Sequence, residues 1–370
     1  MSEWKKLNDK IMKIPEIKAL VNVRKHENTF VTDFFHRLVL HTLKYHFLED
    51  YIDKCLELLM LKSFIDYEER VGNSIILFTG EITSSPLPSQ ILDVRDFDGK
   101  TVLMIACENC NVLTSENTIK IILKHFDYED NNYIDLEDNH GNTALMLACK
   151  KSNAAAVKIL LEHNADPNLK NSDGDTALML STDYSIIKML IEHKSDVNAK
   201  DFIENTALHL FCLSVNIPLI EEIIKLMLKN GANPNSKNIY GDTPLMHAVY
   251  ELPDISKLNI VKLLLKNEAD ANIKNNIGNT ALMKACDNMQ MNNKLDMIKL
   301  LIEHTDDINY MKISGRTALM IACEKISYFN NQEIVIELLK NGANPNIKDV
   351  RSETALYKII LRDEDWLNSL

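Results

Sequence analysis

The stretch Gly141-Asn142-Thr143-Ala144-Leu145-Met146-Leu147-Ala148-Cys149 recurs along the chain, and its recurrence limits what the chain can fold into. Versions of it place a Thr at 101, 143, 176, 206, 243, 280, 317 and 354, spaced by 42, 33 and 30 residues and then four times by 37. A period in this range marks a supersecondary unit that cannot bury its apolar face alone and is stable only when stacked on copies of itself. Such a chain of 370 residues escapes the usual conversion of length into domain number, because its core grows in one dimension.

Each unit reads as a pair of helices. The first begins at the Thr, whose hydroxyl suits an N-terminus where backbone donors lack partners, and Ala follows it at 144, 177 and 281. The second carries apolar residues at the spacing of a core-facing stripe, as in Val157-Lys158-Ile159-Leu160-Leu161 and Val261-Lys262-Leu263-Leu264. It closes on His163, His193, His304, Lys229 or Lys340, side chains suited to the negative end of a helix, and Gly231 and Gly342 supply a helix stop. An Asn-x-Lys segment then leads through a hairpin to the next Gly-x-Thr.

Tyr240-Gly241-Asp242-Thr243-Pro244-Leu245-Met246-His247-Ala248 and Gly342-Ala343-Asn344-Pro345-Asn346 resemble the ankyrin repeat, and with eight registered copies the resemblance covers residues 93–370. It implies an all-α ankyrin-repeat α-solenoid with short β-hairpin loops, the sequence reaching one helix into its eighth repeat. The family's Pro is kept only at Pro244, and its His three residues after the Thr only at His209. Met stands there at 104, 146, 179, 246, 283 and 320, and Tyr at 357. Most Thr-to-His hydrogen bonds of the family are therefore expected to be absent, with Met, an adaptable filler, in the core. The Ile, Lys and Asn bias further resembles ankyrin proteins of large DNA viruses, which implies a role in host–virus interaction.

Spacing between the paired helices varies from repeat to repeat. The second-helix Val or Ile lies 14 residues after the Thr at Val157 but 18 after it at Ile119, Ile224, Val261, Ile298 and Val335, an insertion of about one helical turn between the helices. In the third repeat Ile187 lies only 11 on, so that loop is short.

Residues 1–92 lack the repeat. Phe30 to Ser63 has apolar residues at helical spacing, Asn73 to Thr79 is a β-like run, and Ser84-Ser85-Pro86-Leu87-Pro88 reads as a loop. An N-terminal helical cap over the first repeat is the expectation; the rival is a module that recruits a ubiquitin ligase while the repeats hold its substrate. His36, His41 and His46 do not form a metal site, since steps of five residues turn about 140° around a helix and point the rings apart.

The formal net charge of −12 opposes phosphate, no local basic stripe stands out, and nucleic acid is not an expected partner. No run approaches the ~18 apolar residues of a membrane span, and Met1 to Asp33 lacks a secretory apolar core. Cys107, Cys149, Cys212, Cys286 and Cys323 each follow their Thr by six residues and read as core fillers. Neighbours in stacked units lie beyond disulfide reach, which fits a reducing, cytoplasmic setting. Cys107 and Cys110 form a Cys-x-x-Cys with no second pair at ligand spacing. With only 10 Gly, and without a phosphate loop, a His-Glu-x-x-His or a nucleophile elbow, the chain is read as non-catalytic, with no cofactor and no metal.

The family resemblance implies a protein partner gripped by the hairpin tips, which lie four and three residues before each Thr, and by the adjoining concave face. From the fourth repeat onward every tip holds an apolar residue, where polar residues are the rule. The candidate binding residues are Phe97, Phe202, Ile203, Ile239, Tyr240, Ile277, Ile313, Val350 and Arg351. Asn198 and Asn309, each eight residues after a Leu and within Asp-x-Asn, resemble hairpin asparagines that an asparaginyl hydroxylase modifies in animal cells. The plain alternative is that they hold the hairpin by local hydrogen bonds.

Overall fold

A computed structural model describes residues 133–214, 217–249, 255–288, 294–325 and 331–360, with 95, 98–108, four positions between 116 and 123, and the backbone of two strands ahead of the repeats. The helices anticipated within Phe30 to Ser63, the loop at Ser84 to Pro88 and the residues inserted between paired helices lie outside these described residues. The chain divides into two compact units, residues 1–172 and 173–370.

In the first unit, Phe64–Arg70 and Asn73–Thr79 pair antiparallel, with Phe64 opposite Thr79 and Arg70 opposite Asn73. The second of these strands matches the β-like run; its partner carries too many charges to read as a strand on its own. The helix Val102–Glu108 packs on Ala144–Lys150, which packs on Ala154–Glu162.

In the second unit the first helices are Ala177–Leu180, Ala207–Leu213, Pro244–Ala248, Ala281–Asp287, Ala318–Glu324 and Ala355–Ile360. The second helices are Tyr184–Glu192, Ile220–Lys229, Ile255–Lys266, Lys294–Glu303 and Asn331–Lys340. Each helix packs on its pair and on its counterpart in the next repeat, so the fold is the all-α repeat array expected.

Local chemistry sets the helix ends. Thr143, Thr243, Thr280 and Thr317 are extended, and each hydroxyl accepts from the backbone N–H three residues on, which belongs to a buried Met. The shortest first helix, Ala177–Leu180, ends in the short loop of the third repeat, and the buried hydroxyl of its Thr176 has no partner among the described residues. At the other end, the side chain of the residue after each second helix donates to the carbonyl four back: His163 to Ile159, His193 to Met189 and His304 to Leu300 by Nδ1, Asn230 to Leu226, Asn267 to Leu263 and Asn341 to Glu337 by Nδ2. The chain then turns with positive φ, at Gly231 and Gly342 as read from the sequence but equally at Asn164, Lys194 and Glu268.

The Met column and the five register cysteines are buried, and those cysteines are free. Burial pushes the thiols of Cys212 and Cys286 up to about 12, so they stay protonated. Sequence reading missed the polar plugs beside them. Asn153 donates to the Cys107 carbonyl at 3.2 Å, and the fully buried Lys257 reaches the carbonyls of Cys212 and Ser214 in the preceding repeat. Lys294 likewise bonds the carbonyls of Cys286 and Asn288. Each satisfies carbonyls at the open C-terminal end of a first helix, which leaves acceptors that a buried helix end must fill.

Candidate partner-binding edge

Five of the hairpin tips are shaped from beneath by one residue, five before the Thr. Its side-chain oxygen accepts two backbone N–H bonds across the turn. Asp138 holds His140 and Asn142, Asp201 holds Ile203 and Asn205, Asn238 holds Tyr240 and Asp242, Asn275 holds Ile277 and Asn279, and Asp349 holds Arg351 and Glu353. Where this residue is Asn, its amide also donates to the neighbouring repeat. In the first unit Asn171 donates to Asn142; in the second, Asn238 donates to Asn205 at 2.9 Å and Asn275 to Asp242 at 2.7 Å.

Glycine lets the tips stack. Gly241 has φ +74°, and a Cβ there would lie 2.8 Å from the backbone nitrogen of Asn276 on the next hairpin; Gly141, Gly174 and Gly315 are crowded in the same way. Adjacent tips are also joined by a backbone bond, as from Ile239 N–H to Ile203, Asn276 to Tyr240 and Val350 to Ser314. This order lapses between the sixth and seventh repeats. Lys312 stands where the others have Asp or Asn and offers no side-chain acceptor. Among the described residues the buried Oδ1 of Asn279 has no partner, Ile313 does not join Ile277, and a Cβ at Gly278 would meet nothing nearer than 3.1 Å.

With the turns held this way, the tip side chains face solvent. Ile313 is 75% exposed, Val350 72% and Phe202 69%, and Ile203, Ile239, Tyr240, Ile277 and Arg351 are exposed as well. The structure brings these residues onto the successive hairpins of the second unit. Phe97 lies outside the described residues.

A second set of side chains runs beside the tips. Six residues before the Thr, Lys237, Lys274 and Lys348 are exposed. Scattered through an acidic sequence they form no run, so sequence reading found no basic stripe; the repeat aligns them.

Asn198 and Asn309 are also placed. The Asn198 amide donates to the Gly231 carbonyl at 2.9 Å and its oxygen accepts from Asn233 N–H at 2.8 Å; Asn309 bonds Gly342 and Asn344 in the same manner. The bonds are made to the following repeat instead of the local backbone. Asn235 and Asn272, which sequence reading passed over, do the same, and the shared register after the second helix was the available signal.

Among the described residues no three His, Cys, Asp or Glu side chains gather as a metal site, and no helix is long and apolar enough to cross a membrane. His36, His41 and His46 lie outside them. The family described as "Ankyrin repeats (3 copies)" matches residues 81–171, 116–201, 178–275 and 255–349. No curated protein matches the chain.

Proposed function

We propose that this chain, which belongs to the ankyrin-repeat family, is a non-catalytic scaffold that holds a protein partner along the hairpin edge of residues 202–351. Ankyrin repeats are generally protein–protein interaction modules. The observation that carries the specific reading is the run of exposed apolar tips, one or more on each hairpin from the fourth repeat to the eighth. A solvated edge keeps such a row only at a cost in solubility, and apolar and aromatic anchors carry most interface energy. The division into residues 1–92 and a repeat array from 93, and a cytoplasmic setting, belong to the same proposal. Its viral side, with a host protein as partner, rests on composition alone.

Changing Phe202, Ile203, Tyr240 and Ile313 together to Ser is the test. The expected result is loss of partner capture from lysate with little change in melting temperature, because exposed substitutions move stability within ~0.5 kcal/mol each. A collapse of the melting temperature would show these side chains to be packing residues and remove the support. The adaptor reading predicts ligase subunits among the captured proteins, and their loss when residues 1–92 are deleted.

Asn198 and Asn309 are proposed hydroxylation sites within the same reading. Because each is bonded to the next repeat, modification needs local opening, easiest where packing is thinnest. The short third repeat, with its four-residue helix and a Thr176 hydroxyl that has no partner among the described residues, precedes Asn198. Mass spectrometry after incubation with the hydroxylase, iron and 2-oxoglutarate is expected to find added oxygen at Asn198 before Asn309. An unchanged mass at both ends the proposal.

A further inference from the structure

The charges on the binding edge specify its partner's chemistry. In the hairpins of the fifth to eighth repeats, residues 237–242, 274–279, 311–316 and 348–353, four of the six cations face outward, Lys312 and Arg316 are half-buried, and none of the carboxylates is exposed. Lys237, Lys274, Lys348 and Arg351 are exposed. Asp242 and Asp349 are buried, bound to Lys284 at 2.6 Å and to Lys358 at 2.8 Å, and Glu353 also bonds Lys358. These are the only three carboxylates in the four hairpins. Two of the lysines are laid along the edge: Lys237 Nζ donates to the Lys274 carbonyl at 3.0 Å, and Lys274 Nζ sits 3.9 Å from the centre of the Tyr310 ring. A protein with net charge −12 thus presents one edge of cations and apolar tips.

We propose that this edge takes an extended acidic segment of a protein partner, carrying apolar side chains between its carboxylates. The inference rests on the hairpin-edge reading above and adds the partner's chemistry to it. Stacked helical units are about 8–10 Å apart, and an extended chain advances about 3.3 Å per residue, so about every third residue of the segment meets a new hairpin. Tyr240, Ile277, Ile313 and Val350 supply one apolar contact per hairpin, and the lysines meet the acidic residues between. A nucleic-acid backbone would satisfy the cations but leave four exposed apolar side chains without use.

The probe is a labelled peptide of about twelve residues with Leu at every third position and Asp or Glu between, titrated against the full chain. Comparators carry Lys or Ser in place of the acids, and a single-stranded oligonucleotide of similar length is the fourth ligand. The acidic peptide is expected to bind at least ~10-fold more tightly than the basic one at low salt, with affinity falling as salt rises. Lys237→Glu, Lys274→Glu and Lys348→Glu together, with the helical circular dichroism unchanged, are expected to reverse that preference. An acidic-peptide affinity untouched by the charge reversal, an oligonucleotide that binds as well, or no binding by any peptide overturns the inference. If the Ser-containing peptide binds, is lost with the four tip-to-Ser changes and ignores the charge reversal, the edge reading stands and the acidic partner falls. If the tip changes alter the binding of no peptide, the edge reading itself falls.

Discussion

Gly241→Ala is expected to destabilise the second unit by about 2–4 kcal/mol, and Gly231→Ala by about 1 kcal/mol. Both glycines have positive φ, +74° and +86°, so both substitutions carry the penalty of a Cβ in the left-handed region. They differ in what surrounds that Cβ. At Gly231 nothing lies within 4 Å, whereas at Gly241 the methyl would sit 2.8 Å from the Asn276 nitrogen and 2.5 Å from its side-chain oxygen. Relieving that overlap means parting two hairpins, which breaks the Asn276-to-Tyr240 backbone bond and strains the Asn275-to-Asp242 amide bond. Urea unfolding of the two variants, compared at the midpoint with the slope unchanged, checks this. Equal losses would show that conformation alone, and not the close approach, sets the need for glycine at 241.

Acidification from pH 6.5 toward 4 is expected to cost the wild-type chain up to about 3 kcal/mol through one histidine. His209 is buried; its Nδ1 lies 2.9 Å from the Thr206 hydroxyl and accepts from the Thr206 N–H, and its Nε2 lies 3.1 Å from the Asp242 carbonyl. Burial first, and then the neighbouring His247 ring, press its pKa down to about 4. The folded state therefore binds fewer protons than the unfolded chain between pH 4 and 6.5. The stabilisation is complete above 6.5 and is lost as pH falls through that window. His247 is pushed down as well, chiefly by burial, and adds in the same direction. Other groups titrate nearby, so the decisive comparison is His209→Met, which installs the residue found at this register in six other repeats. The variant is expected to show a flatter stability profile over that interval; a profile parallel to wild type would place the acid sensitivity elsewhere.

The repeat, its helix starts and its core were legible because they depend on residues near one another in sequence: a Thr, the Ala after it, an apolar stripe and a small Cys. The tip residues were legible for the same reason, as apolar side chains at turn positions. What was missed depends on the neighbouring repeat. Lys257 looks like a surface lysine until the Cys212 carbonyl of the preceding repeat is placed against its Nζ. Asn235 and Asn272 look like ordinary turn residues until their partners more than 30 positions away are seen. The cationic edge is likewise a product of register, since its lysines are 37 residues apart from Lys237 to Lys274 and 74 from Lys274 to Lys348. The strand Phe64–Arg70 was not readable because four of its seven residues are charged.

The bonds between hairpins also bear on how such a chain lengthens by duplication. From Asn198 to Asn309, each repeat offers its follower the same amide donor and carbonyl-type acceptor that it receives from its predecessor. A copied 37-residue block inserted within this run would find both of its neighbours already complementary, with no compensating substitution needed. Beneath the tips that interchangeability ends at Lys312, whose side chain does not bond the Asn279 oxygen, which is left without a partner among the described residues. A duplication carrying the seventh hairpin forward would copy the mismatch along with the repeat.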